Sequence, residues 1–179
     1  MILEPTGIPG AFRIRPQRFE DQRGFFARTW SREELAGHGL RADLDHVGVS
    51  WNRRRGTLRG MHFQVAPCEE VKVVSCLRGA VHDVLVDLRP DSPALHRWFA
   101  ARLDPVGMDA LYVPAGVAHG FLTLEDDSLV QYAICGRYSP EHARGIRYDD
   151  PVVGIPWPGS VETVVERDRT WPLLERRAG

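Results

Sequence analysis

Short runs rich in Val, Leu, Phe, Tyr and Trp recur along the chain, with Gly, Pro, Asp and Ser between them. The spacing, about ten residues from run to run, predicts an all-β sandwich or barrel. The strands it predicts are 12–15, 25–30, 46–52, 57–64, 71–77, 80–89, 97–103, 110–113, 120–124 and 129–137. Within 80–89, Val84, Val86 and Leu88 alternate with Leu85, Asp87 and Arg89, the pattern of a strand with one face buried. Residues 77–80 and 125–128 read as hairpin turns. One helix is predicted, because Ser31-Arg-Glu-Glu34 is a capping box, Leu35 follows, and Gly37 and Gly39 are stop signals. After Tyr138, five prolines (Pro140, Pro151, Pro156, Pro158, Pro172) break the pattern. Residues 140–179 are therefore expected to pack over the barrel as short turns. No repeat, low-complexity tract or linker divides the 179 residues, which suit one domain, 1–179.

Composition narrows the class. Hydrophobic residues make up 43% and charged residues 26%, the balance of a globular protein. A net charge of −1 argues against a general nucleic-acid binder, which needs a basic surplus. No stretch approaches the roughly 20 apolar residues of a membrane span. The start, MILEPTGIPG, lacks the basic region and apolar run of a signal peptide, so a cytoplasmic location is expected. Cys68, Cys76 and Cys135 are odd in number and not at metal-site spacing, and read as free, buried thiols. The chain has 22 arginines and one lysine, Lys72. An ammonium is a compact point charge and a guanidinium a planar fork, so a lone lysine draws notice as a site residue.

Three segments carry candidate chemistry. In Leu58-Arg-Gly-Met-His-Phe-Gln64, strand alternation puts 58, 60, 62 and 64 on one face and 59, 61 and 63 on the other. His62 then points into a cavity beside Gln64, with Gly60 removing bulk. The second segment, Gly107 through Pro114-Ala-Gly116-Val-Ala-His119, matches the second motif of the cupin superfamily and implies a double-stranded β-helix, or jelly-roll barrel, with one or two short helices. The third is the predicted strand carrying Tyr132. Metal-binding cupins use His-x-His, a Glu and the second-motif histidine. This chain has His62-x-Gln64, with Glu69 and Glu70 in the loop ahead of the next strand, and it has Lys72 in that strand. An ammonium beside two histidines repels a metal ion, so no metal is expected. The set suits proton abstraction beside a carbonyl: a histidine base, a lysine at the enolate oxygen, and a tyrosine to return a proton on the other face. Taken singly, His62 reads as a core histidine and Tyr132 as barrel packing; their combination with Lys72 turns the reading to catalysis.

These residues resemble the dTDP-4-dehydrorhamnose 3,5-epimerase family over nearly the whole chain. The likeness runs through Phe19-Glu-Asp-Gln-Arg-Gly-Phe-Phe26, Leu58–Gln64, Lys72, Gly79–Arg89, Asp91-Ser-Pro93, Val113–Phe121, Tyr132, Tyr138-Ser-Pro140, Asp149-Asp-Pro151 and Trp157-Pro158. It implies an isomerase acting on a nucleotide-linked 4-keto sugar without a cofactor. His62 would be the base, Asp168 its carboxylate partner, Lys72 the enolate stabiliser and Tyr132 the opposing acid. Arg59, Gln64, His119 and Arg167 would contact the substrate, and Tyr138 would stack on the nucleotide base. Arg23 and Phe26 would reach across to a neighbouring subunit, implying a homodimer with exchanged N-terminal strands from about residues 1–50. The pattern departs at Arg28, Val47, Val49 and Ala143, positions that the family uses to hold substrate. Two other functions stay open on the residues alone: a sugar-nucleotide 3,4-ketoisomerase and a non-catalytic sugar-nucleotide-binding cupin.

Overall fold

The strand rhythm closes into two antiparallel sheets that face each other. In chain order the elements are β1 (Ile2–Pro5), β2 (Phe12–Arg15), β3 (Arg18–Asp21), β4 (Gly24–Ala27), α1 (Arg32–Gly37), β5 (His46–Asn52), β6 (Leu58–Gln64), β7 (Val71–Arg78), β8 (Val81–Asp87), β9 (Trp98–Leu103), β10 (Ala110–Val113), β11 (Val117–Thr123), β12 (Ser128–Cys135), β13 (Ala143–Gly145) and α2 (Glu166–Thr170). This structure, a computed structural model, describes residues 1–175. The last four residues of the expected C-terminal cover lie outside the described residues. One sheet has the order β1-β2-β10-β7-β12-β5 and the other β13-β6-β11-β8-β9, while β3 and β4 form a separate hairpin.

From β6 onward the chain crosses between sheets at nearly every connection, the jelly-roll path. This corrects the reading of 77–80 and 125–128 as hairpin turns. Each joins strands of different sheets, β7 to β8 and β11 to β12. Turn residues report that the chain reverses, not which strand it pairs with next. The expected half-buried strand at 80–89 is also corrected. β8 is buried on both faces, with Val81 and Leu85 in the core between the sheets and Val84 and Val86 beneath Ile155, Trp157 and Leu174. The proline-rich segment covers the Val84–Val86 face, while Leu85, on the face that alternation assigned to solvent, lies in the core between the sheets.

The capping box is half made. Ser31 Oγ accepts from the Glu34 amide at 3.3 Å, closing the first turn of α1. The Glu34 carboxylate turns instead to the Met1 ammonium and to Arg28. Strands β1, β3 and β13 went unpredicted; each is only three or four residues long.

One irregularity in β6 aims the site. His62 pairs with His119 across the sheet, yet Arg59 pairs with Phe121, so three steps on β6 meet two on β11. This is a β-bulge at Gly60-Met61, and it reverses the side-chain phase. Arg59 therefore joins His62 on the cavity side, against strict alternation. Gly60 has φ +144°, and a Cβ there would come within 2.5 Å of the Gly120 Cα. Neither backbone can yield easily. Gly60→Ala is expected to destabilise the fold by at least about 1–3 kcal/mol, the usual range for overpacking. Urea unfolding would measure it; an unchanged midpoint would rule out this account of the bulge.

Candidate active site

A cavity of about 670 Å³ opens between the two sheets, a size suited to a small-molecule ligand. The β13–β6–β11 wall contributes Arg59, His62, Gln64 and His119. The opposing wall contributes Ser50, Lys72 and Tyr132 from β5, β7 and β12. Residues of α2 and its flanks, including Arg167 and Asp168, close one side, and Tyr138 lies on the loop after β12.

His62 bonds Asp168 through Nε2, at 2.7 Å from Oδ1. The other oxygen, Oδ2, accepts the Gly60 amide at 3.2 Å. Asp168 is 1% exposed. Burial alone would raise its pKa; the His62 hydrogen bond and charge, the Gly60 amide and the Arg167 charge outweigh it and hold the carboxyl below its ordinary value of 3.8. An ionised Asp168 keeps a proton on Nε2 and leaves Nδ1 as the nitrogen free to accept one.

His119, directly across the ladder from His62, has its own carboxylate. Its Nε2 lies 3.0 and 2.9 Å from the two oxygens of Asp83, which is fully buried. The His119 ring meets Tyr132 edge-on, centroids 5.9 Å apart. The two histidines differ in access: the His62 side chain is 30% exposed and that of His119 is 4%. Burial, and then the Asp83 charge, push the Tyr132 hydroxyl well above its ordinary pKa of 10, against a smaller opposing effect of Arg59. It therefore stands as a neutral donor at physiological pH.

Lys72 Nζ lies 2.7 Å from Glu70 Oε1 and donates to the His62 carbonyl at 3.4 Å. Both side chains are only 10% exposed, so removing one would strand the other, at about 3–5 kcal/mol. Gln64 lines the cavity, but its amide is engaged by protein: Nε2 donates to the Cys68 and Arg137 carbonyls and to Glu70, and Oε1 accepts from the Ser139 amide. Arg59 Nε donates to Asn52 Oδ1 at 2.7 Å.

A model of the dTDP-4-dehydrorhamnose 3,5-epimerase family matches residues 5–176. The chain belongs to that family. A dTDP-4-dehydrorhamnose 3,5-epimerase of Sinorhizobium fredii is 42% identical over 97% of this chain and 90% of its own length. A dTDP-4-dehydrorhamnose 3-epimerase of Streptomyces niveus is 37% identical, over 97% and 84%. A crystal structure of the Bacillus anthracis 3,5-epimerase with TDP and PPi bound superposes at TM-score 0.92, with 35% identity, over 97% of this chain and 99% of that one. The cupin-type barrel expected from the second motif is thus the family's fold.

Nine of the eleven residues the family pattern singled out line this one cavity: Arg59, His62, Gln64, Lys72, His119, Tyr132, Tyr138, Arg167 and Asp168. Arg23 and Phe26 do not; they stand exposed on the β3–β4 hairpin. Of the departures from the family pattern, Ala143 lines the cavity, Arg28 pairs with Glu34, and Val47 and Val49 face outward on β5. Glu70 and Asp83 were missed. Asp83 carried a signal, a carboxylate sharing its strand face with Val81 and Leu85, whereas Glu70 read as a loop residue.

The lowered Asp168 pKa fixes a sign. Its stabilising effect is complete above the unfolded-state value near 3.8 and is lost as pH falls through the lower folded-state value. Asp168→Asn is expected to unfold more readily than the parent at about pH 6, with the gap shrinking below about pH 4. Denaturant melts across that range would show it, and a gap independent of pH would contradict it.

Proposed function

We propose that the chain epimerises a nucleotide-linked 4-keto-6-deoxyhexose, dTDP-4-dehydro-6-deoxyglucose or a close relative, at C3, C5 or both. One observation carries this reading: a carboxylate-backed histidine stands on one wall of the cavity, and a lysine and a protonated tyrosine on the other. Inversion needs a proton taken from one face and returned to the other. Opposed sheets supply the two faces.

In this scheme His62 Nδ1 takes the proton from the carbon beside the C4 ketone. The C–H electron pair forms the C=C bond, and the carbonyl π pair moves onto oxygen. Lys72 stabilises that enolate oxygen. Tyr132 then protonates the carbon from the opposite face and the ketone re-forms. Its raised pKa makes the resulting phenolate a strong base, quick to regain a proton. Asp168 orients His62 and stabilises the imidazolium. Arg59, Gln64, His119 and Arg167 line the sugar and diphosphate path, with Tyr138 beside the base. The substrate's own ketone acidifies the neighbouring C–H bonds, so the scheme needs no cofactor.

The reading extends to assembly. Phe19, Phe25 and Phe26 are exposed together on the β3–β4 hairpin, and Val47, Val49 and Trp51 form an exposed stripe on β5. Free aromatic surface of this kind favours burial against another chain. A second copy bound there, with N-terminal strands exchanged, would bring Arg23 and Phe26 to a partner's cavity. No helix among the described residues is long and apolar enough to cross a membrane. A cytoplasmic setting, without membrane or nucleic-acid partners, accords with a nucleotide-sugar substrate.

Incubation with dTDP-4-keto-6-deoxyglucose in deuterated water, followed by NMR, tests the chemistry. Deuterium is expected at C3, C5 or both, with His62→Ala slowing its entry by about 10²–10⁴-fold. A ketone moved to C3 would favour the ketoisomerase instead, and binding without exchange the non-catalytic cupin. For assembly, sedimentation should give twice the 20.2 kDa chain mass, and Phe26→Asp should halve it; a monomeric parent would refute the dimer.

A further inference from the structure

Asp168 sits on a helix of five residues, too short to hold its own place. Its position is set from its two ends. On one side Thr163 forms a parallel bridge to Thr57, and its carbonyl accepts the Leu58 amide at 2.8 Å. On the other side stands Trp171, at the C-terminal cap of α2, three residues beyond Asp168. Its indole lies against Gly145 so closely that a Cβ on Gly145 would fall 2.5 Å from Cε2 and Nε1. Gly145 is the strand partner of His62 between β13 and β6. The indole thus rests on the backbone directly beside the histidine that Asp168 must reach.

Two more observations fit a spacer. Among the described residues the buried indole Nε1 has no hydrogen-bond partner, so packing and not a hydrogen bond seats the ring. The Arg167 guanidinium lies 5.9 Å from the indole ring, and its Nε is 3.5 Å from Asp168 Oδ1. One side chain therefore abuts both the backbone next to the base and the arginine next to the base's carboxylate. We propose that Trp171 is a positioning residue: its indole, wedged on Gly145, sets the depth of α2 and with it the His62–Asp168 contact. The kinetic part of this proposal rests on the epimerase reading above; the contact itself does not.

The test uses Trp171→Ala and Trp171→Phe in the full chain. Phenylalanine keeps a flat ring and removes the N–H. Without substrate, the imidazole nitrogen shifts of His62 are read in protein labelled with 15N-histidine, with His62→Asn picking the signal out of seven histidines. Trp171→Ala is expected to move those shifts to the values seen in Asp168→Asn, and Trp171→Phe to keep the parent's. In the exchange assay Trp171→Ala should lower kcat by about 10²-fold, as for an ångström of misplacement, and Trp171→Phe should restore it. A merely structural role would instead lower the folded fraction and leave the His62 shifts of the folded protein unaltered. Unaltered shifts in Trp171→Ala would overturn the proposal. Should the alanine variant not fold, Trp171→Leu carries the same comparison. If the parent itself exchanges no proton, the epimerase reading fails while the shifts still decide the role of Trp171.

Discussion

A carboxylate taken out of water has to be met by donors, and the Asp168 carboxylate is met twice, by the His62 ring and the Gly60 amide. Both donors belong to β6, more than a hundred residues earlier in the chain. The local architecture answers this demand. The bulge at Gly60-Met61 turns Arg59 and His62 to one side, and the glycine contact with Gly120 leaves room for it. The C-terminal segment returns over the second sheet and carries α2 to the cavity. An unmet charge here would cost several kcal/mol, a large share of the stability of an ordinary domain.

The cavity holds two histidine–carboxylate pairs with different surroundings. His119 and Asp83 are sealed between sheets, and their bond stiffens the wall against which Tyr132 packs. His62 is open to the cavity on the side away from Asp168. The same two residue types therefore form a sealed pair in one place and, in the other, a pair whose histidine is open to the cavity. Solvent access separates them: the His62 side chain is 30% exposed and that of His119 4%.

Much of this was legible in the chain. The strand rhythm located β2, β5 and β10 to the residue, and the motifs around His62, Lys72, His119 and Tyr132 marked four cavity positions on four different strands. Pairing was not legible. Leu77–Ala80 and Glu125–Ser128 have the composition of hairpin turns and serve as crossings, because which sheet receives the next strand depends on surfaces distant in sequence. The phase of Arg59 was misread for a related reason: a bulge is one extra residue, and alternation has no means of counting it. Glu70 reads as a solvated loop residue until Lys72 is seen 2.7 Å away. Trp171 carries no periodic signal, since its seat is a glycine on another strand.

Lys72 supplies the one side-chain amine in the chain, and that amine lies in the cavity, pressed against Glu70. Everywhere else the molecule carries its positive charge on guanidinium groups, which common acylating and reductive-alkylating reagents leave alone. Apart from the chain's own α-amino group, amine chemistry on this protein thus has a single address. The extent of modification at Lys72 becomes a gauge of how open the cavity is, with any occupant registering as protection.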